Sequence, residues 1–119
     1  MKYNSFNDSN LMQQFKGDEE ILLDMIGIFE SDVGQLLSPI RESILNQDGQ
    51  QLRINAHTFK GVMGNFYAEQ GKQLAFELET HGKQANFKDT LELLNKLENE
   101  LQLFLFELNT LKKNLDIKA

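Results

Sequence analysis

The chain has 119 residues, a formal net charge of −6 at pH 7 and no cysteine. This length suits one folded domain, and the absence of cysteine excludes a disulfide framework, a thiolate nucleophile and a cysteine-ligated zinc site. Lysine and arginine are scattered and are outnumbered by aspartate and glutamate, so we expect no nucleic-acid partner, which would require a basic face.

The apolar runs of the sequence are short. The polar start MKYNSFNDSN has no apolar stretch typical of a signal peptide. Runs such as those at residues 21–23 and 103–106 are far too short to cross a bilayer. We therefore expect a cytoplasmic protein without direct membrane contact. We expect a single domain over residues 1–119, with a motif-bearing core at about 8–115.

Helix formers dominate the composition, and proline occurs once. Residues 7–9 supply capping side chains for a short first helix, which Lys16-Gly17 ends. The acidic residues 18–20 favour the start of a second helix, in which apolar residues keep helical spacing to about Asn46.

Pro39 lies inside this second helix and removes one backbone hydrogen bond. Proline in a helix interior also clashes with the preceding turn. We therefore expect a kink or a break near residues 35–38.

Three more helices follow a turn at Asp48-Gly49. The third carries one buried stripe, Leu52, Ala56, Phe59 and Met63. A turn after Gly64-Asn65 leads to a fourth helix at about 68–84, whose end His81-Gly82 should loosen. The fifth, at about 87–115, has a leucine seam formed by Leu91, Leu94, Leu101, Leu105 and Leu108. Long helices joined by short loops predict an all-α fold: an antiparallel up-down-up-down four-helix bundle with a short extra N-terminal helix.

The third helix presents an unusual polar face. Since each residue turns 100° around a helix, Arg53, His57, Lys60, Gly61 and Gly64 share a face beside the buried stripe. His57 should thus be partly exposed, with the lysine close to any anion bound to the imidazole. A glycine costs about 1 kcal/mol in a helix interior, so the two glycines need a reason.

The pattern alone leaves that reason open. The glycines could let a partner's backbone approach the histidine, let the next helix pack closely, or end the helix early. A neutral imidazole can act as a nucleophile, and lysine is a suitable point charge for a phosphoryl group. A surface histidine with a neighbouring lysine is also common in proteins without such a role.

Glu77 and His81 lie four residues apart on the fourth helix, a spacing compatible with metal ligation. Two ligands do not make a site, and no Glu-x-x-His pair recurs on another helix. We expect no metal here. We expect His81 to interact with the dipole at its helix end.

The segment AHTFKG at residues 56–61 resembles the signature of histidine-containing phosphotransfer (HPt) domains. In that family a lysine follows the histidine by three residues and a glycine by four. Gly64 fills a later small-residue position, and Asn65-Phe66 fit the polar-then-apolar pair that follows. Tyr67 departs from the family, which often has glycine there. Phe29 upstream and Leu78-Glu79 downstream extend the resemblance to roughly residues 8–110.

The resemblance implies a bundle that accepts a phosphoryl group on His57 from a receiver-domain aspartate and passes it to another receiver, or the reverse. It implies that Lys60 neutralises phosphoryl charge. Gly61 and Gly64 would clear space for the receiver, with Arg53 on the same docking face.

The resemblance also singles out Glu79, which lies 22 residues after His57. Some family members carry there an acidic or amide side chain that bonds the imidazole. An ordinary solvated glutamate is the alternative reading.

No P-loop or kinase glycine-rich loop is present, so we expect a phosphoryl carrier without its own ATP site. The resemblance implies no cofactor here, with magnesium in the partner receiver. It implies response-regulator receiver domains and a hybrid sensor kinase as partners, and we expect a monomer. The chain could be free-standing or the C-terminal domain of a hybrid histidine kinase, as the cytoplasmic tail of a membrane-bound sensor. The alternative function is a non-phosphorylated helical docking module that binds or sequesters a receiver.

Overall fold

The computed structural model describes residues 3–118, with side chains up to residue 115. Its helices are α1 (Asp8–Gln14), α2 (Glu19–Leu45), α3 (Gly49–Asn65), α4 (Glu69–Gln84) and α5 (Thr90–Lys118). The described range contains no strand, and the predicted all-α class is confirmed. Residues 1, 2 and 119 of the predicted domain lie outside this description.

Helices α2 to α5 form a four-helix bundle. Helix α3 packs against α2 and α4, and α5 packs against the same two helices from the opposite side. The connections between consecutive helices are short, at residues 46–48, 66–68 and 85–89, so the helices alternate in direction. The predicted four-helix bundle with an extra N-terminal helix is confirmed. Within the described range, no helix combines the length and the apolar character needed to span a membrane.

Helix α5 lines the core with a regular seam. Its buried apolar residues alternate in steps of three and four: Leu94, Leu97, Leu101, Phe104, Leu108, Leu111 and Leu115. The expectation that Leu91 belongs to this seam is wrong, since it is 52% exposed. One more step of four from Leu94 reaches Thr90, which is buried and whose hydroxyl donates to Phe87 O. The heptad register therefore turns Leu91 outward.

Helix α2 is continuous through Pro39, so the expected break does not occur. The core holds the chain helical after the proline, because Ile40 and Ile44 are both buried. The Pro39 carbonyl also accepts hydrogen bonds from Ser43 Oγ at 2.7 Å and Asn55 Nδ2 at 3.4 Å. The second of these bonds links α2 to α3.

The N-terminal segment closes one end of the bundle. Tyr3, Ser5 and Phe6 are buried. The carboxylate of Glu107 accepts hydrogen bonds from the backbone N–H groups of Asn4 and Ser5 and, at 2.6 Å, from the Ser5 hydroxyl. Burial by itself raises the pKa of Glu107, but these hydrogen bonds lower it by more, so the net pKa lies below the ordinary value.

Tyr67 stands in the turn after α3 with a left-handed φ of 57°. This conformation costs a non-glycine residue about 1–2 kcal/mol, so the turn keeps a geometry that glycine adopts readily. The residue also ties the N-terminal segment to the turn. Its carbonyl accepts from Asn7 N at 2.9 Å, and its hydroxyl donates to Gln14 Oε1 at 2.7 Å.

Candidate functional site

The orientation of α3 exposes His57. Helix α3 starts after Asp48, whose side chain accepts from Gln51 N and caps the helix. The predicted stripe is confirmed, since all four of its residues are buried: Leu52, Ala56, Phe59 and Met63. With that face held in the core, the His57 side chain is turned outward and is 65% exposed.

Glycines bring α4 close to α3. A Cβ on Gly82 would stand 2.5 Å from Arg53 N, and one on Gly71 would stand 2.8 Å from Met63 Sδ. Gly82 is buried inside α4, which ends at Gln84, the residue expected from the sequence. Gly82 is a position where two backbones meet.

Glu79 of α4 bridges the two polar side chains of α3. Its Oε2 lies 3.0 Å from His57 Nδ1, and its Oε1 lies 2.7 Å from Lys60 Nζ. Within residues 3–118 no donor reaches Oε1 at a hydrogen-bonding angle, so the Lys60 contact is an ion pair. The Glu79 side chain is 18% exposed and that of Lys60 is 23% exposed, so both charges are largely shielded from water.

The charge state of Glu79 follows from its partners. Burial raises its pKa, whereas the contacts with Lys60 and His57 lower it by more. The net pKa is therefore below the ordinary glutamate value, and the group is a carboxylate at neutral pH. A carboxylate can only accept, so His57 Nδ1 is the protonated nitrogen of the contact. In a neutral imidazole, Nε2 then carries the free lone pair.

The two glycines of the α3 face lie beside open space. A Cβ on Gly61 would meet nothing within 4 Å, and one on Gly64 would reach only the Lys72 side chain at 3.9 Å. Helix α3 runs on to Asn65, so neither glycine ends it. Other glycines make the close contacts between α3 and α4, and the surface beside Gly61 is open.

Arg53 is exposed at its side chain, while its backbone packs against Gly82. It lies one turn before His57, on the α4 side of α3.

The Glu77 and His81 pair stands apart from the site. His81 Nδ1 donates to Asn86 O at 2.8 Å, just beyond the end of α4. Among the described residues, no cluster of three or more histidine and carboxylate side chains could hold a metal ion.

The site contains one aromatic residue, Phe76, that the sequence analysis did not identify. Lys60 Nζ lies 5.0 Å from the ring centroid of Phe76, which is 46% exposed. Phe76 precedes Glu79 by three residues on α4, so both side chains reach toward α3 from neighbouring turns. A signal was available in the sequence, because Phe76 is a large apolar residue outside the buried positions of α4, which are Leu74, Ala75 and Leu78.

The profile of the Hpt domain family matches residues 24–106, which is most of the chain. The chain therefore belongs to the Hpt domain family, the histidine phosphotransfer domains of phosphorelays, which carry a phosphoryl group without a kinase site of their own. Hpt proteins act with the receiver domains of response regulators.

A solved structure shares the fold. It is that of histidine-containing phosphotransfer protein B (HptB) from Pseudomonas aeruginosa PAO1, with a TM-score of 0.86 and 21% sequence identity. The match covers 92% of this chain and 96% of that one. At this identity the likeness speaks for the fold alone. Comparison with curated proteins gives no match.

Proposed function

We propose that this chain carries a phosphoryl group on Nε2 of His57, taking it from the aspartyl phosphate of one receiver domain and passing it to the aspartate of another, or in the reverse direction. The observation that carries this assignment is the Glu79 carboxylate, which contacts both His57 Nδ1 and Lys60 Nζ. It leaves Nε2 with a free lone pair on an exposed ring.

The transfer step follows from this arrangement. The Nε2 lone pair attacks phosphorus, the N–P bond forms, and the P–O bond to the receiver's aspartate breaks to leave a carboxylate. The proton on Nδ1 stays in place, so the ring becomes cationic as the N–P bond forms. The Glu79 carboxylate, 3.0 Å from Nδ1, stabilises that charge. Return of the N–P electron pair to Nε2 reverses the step.

Lys60 supplies positive charge for the phosphoryl oxygens. Phosphoryl transfer depends mainly on positioning and on charge neutralisation, which suits a site with one nucleophile and one cation. The residue stands one turn beyond His57 on the same helix. Gly61 and Gly64 add no side chains to the adjoining surface, which leaves room for the receiver. Arg53 lies at the edge of this surface.

Magnesium, in this proposal, belongs to the acidic pocket of the receiver, and the chain needs no cofactor of its own. The proposed site is one exposed histidine on one bundle, so a monomer contains all of it. The partners are response-regulator receivers and a hybrid sensor kinase, so the place of action is the cytoplasm. The chain serves equally as a free carrier or as the C-terminal domain of such a kinase.

The test is intact-mass spectrometry after incubation with a phosphorylated receiver domain. Wild type should gain one acid-labile phosphoryl group, and His57→Gln should gain none. The chain has two histidines, which makes His81→Gln a matched control that should be labelled like wild type. Labelling of His57→Gln would overturn the assignment.

The second candidate is a docking module that binds or sequesters a receiver without carrying phosphoryl. The open surface beside Gly61 suits such binding equally well. The same experiment separates the two functions. Receiver binding that survives His57→Ala, with no label on wild type from any of several receivers, would establish the docking module.

A further inference from the structure

Phe76 is an exposed aromatic residue that the core does not use. The residue is 46% exposed, whereas Leu74, Ala75 and Leu78 of the same helix are buried. Its described ring contact is with a cation, since Lys60 Nζ lies 5.0 Å from the ring centroid. This distance is within the range of a cation–π interaction.

Lys60 is held from two sides. Glu79 Oε1 lies 2.7 Å from Nζ, and the Phe76 ring lies on a neighbouring turn of α4. A lysine side chain has a flexible four-carbon stem, and each contact restricts it. Together the two contacts hold the ammonium at the seam between α3 and α4, with the side chain only 23% exposed.

The two contacts differ in what they do to the charge. The Glu79 carboxylate neutralises the ammonium, so a phosphoryl group on His57 must compete for it. The face of an aromatic ring attracts a cation through its quadrupole but carries no net charge. The ring can therefore keep Lys60 in place while leaving its positive charge available to the phosphoryl oxygens.

We propose that Phe76 is a positioning residue for Lys60 in phosphoryl transfer. The proposal rests on the function proposed above for His57. Phe76 touches none of the reacting atoms, and it acts by holding the lysine near the site when the ammonium leaves Glu79. Because Phe76 is exposed, it could instead be a docking contact for the receiver, and the experiment must distinguish the two roles.

The experiment is single-turnover phosphoryl transfer from a phosphorylated receiver, measured over a range of receiver concentrations. Phe76→Leu should slow the rate at saturating receiver by about two- to fivefold, the factor that an exposed cation–π contact is worth. Phe76→Trp should restore the rate because it keeps an aromatic face. Phe106→Leu is the matched control, since Phe106 is 70% exposed on α5, which packs against α2 and α4. It should transfer at the wild-type rate.

The link to the lysine is tested by repeating the measurement in a Lys60→Gln background. There Phe76→Leu should have no further effect, because a positioning residue has nothing left to position. The NMR signals of the Lys60 Cε–H group should also lose a ring-current shift in Phe76→Leu. This readout needs no phosphoryl transfer.

Three results would overturn the proposal: a wild-type rate for Phe76→Leu, a slowing that persists in the Lys60→Gln background, or an effect confined to the receiver concentration at half-saturation. Only the last result would make Phe76 a docking residue. If wild type itself takes no phosphoryl group, the function proposed for His57 fails. A ring-current shift on Lys60 would then show a Lys60–Phe76 contact that serves another purpose.

Discussion

Gly82 of α4 lies directly against the backbone of Arg53 on α3. A Cβ on Gly82 would stand 2.5 Å from Arg53 N and 2.8 Å from Gly49 O. Glu79 comes one turn before Gly82, and His57 comes one turn after Arg53. Because the two helices run antiparallel, the close approach at Gly82 brings Glu79 within 3.0 Å of the imidazole. A packing glycine thus sets the geometry of the site.

Gly82→Ala should therefore destabilise the fold. The added methyl group would meet backbone atoms that cannot move aside, and overpacking of this kind costs about 1–3 kcal/mol. The gain in helix propensity, about 1 kcal/mol, offsets this cost only in part. Urea denaturation measures the change. Unchanged or increased stability would show that the helices separate freely here.

Gly61→Ala should have the opposite effect on stability. A Cβ at Gly61 meets nothing within 4 Å, so alanine should stabilise the fold by about 0.5–1 kcal/mol. The same methyl group stands where the receiver is proposed to approach, so transfer should be slower. Denaturation and single-turnover transfer measure the two effects.

Gly34→Ala is the control for this pair of effects. A Cβ on Gly34 would also meet nothing within 4 Å. Gly34 lies one turn after Glu30, which forms an ion pair with Lys112 of α5. It lies on α2, outside the seam between α3 and α4 where His57 meets Glu79. The variant should gain stability and keep its transfer rate. Undiminished transfer in Gly61→Ala would remove the docking role from Gly61.

Glu79→Gln should slow transfer to His57 by about tenfold. The amide can still accept from Nδ1–H, but it cannot stabilise a cationic ring, and hydrogen bonds to charged groups are worth about 1.5–3 kcal/mol. Glu77→Gln is the control, because Glu77 is exposed on the same helix and lies in the groove toward α5. Equal rates for the two variants would contradict the role of Glu79.

The ratio of the transfer rates of wild type and Glu79→Gln should depend on pH. The pKa of Glu79 is lowered in the folded protein, because the stabilising contacts of Lys60 and His57 outweigh the effect of burial. The carboxylate advantage is therefore complete above the ordinary glutamate pKa. It is lost as the pH falls through the lowered value. Transfer rates of both proteins across the acidic range measure this.

Glu107→Gln should destabilise the protein at neutral pH. The variant keeps the shape of the side chain but loses the charge that accepts from Ser5 N, Ser5 Oγ and Asn4 N, at a cost of about 1–3 kcal/mol. Since the folded pKa of Glu107 is lowered, the stability it adds is present above the ordinary glutamate pKa and is lost as the pH falls through the folded value. The stability difference between wild type and variant should thus shrink at acidic pH.

Thermal unfolding of wild type and Glu107→Gln at several pH values measures this difference. Glu30→Gln is a comparison variant, because Glu30 forms the more exposed ion pair with Lys112. Exposed pairs contribute at most about 1 kcal/mol, so its effect should be smaller. An equal effect of the two substitutions would show that the charge of Glu107 adds no more stability than an exposed ion pair does.

Much of this protein could be read from residues that lie on a single helix. Helical spacing fixes which side chains share a face, so the α3 stripe and the exposure of His57 beside Lys60 followed from sequence positions alone. Helical spacing also predicted three buried residues of the α5 seam, Leu94, Leu101 and Leu108. Leu91 was misassigned because a leucine was given more weight than the register, which continues to the buried Thr90.

Relationships between helices depended on the tertiary structure. The sequence could mark Glu79 only through a family resemblance, and nothing in it joined Phe76 to Lys60 or assigned Gly82 to a backbone contact. The helical period of 3.6 residues gives the direction of a side chain around its own helix. It does not give the distance to the facing helix or the position of that helix along the axis. Here close packing of α3 and α4 decided both, and so decided which carboxylate meets the histidine and which ring meets the lysine.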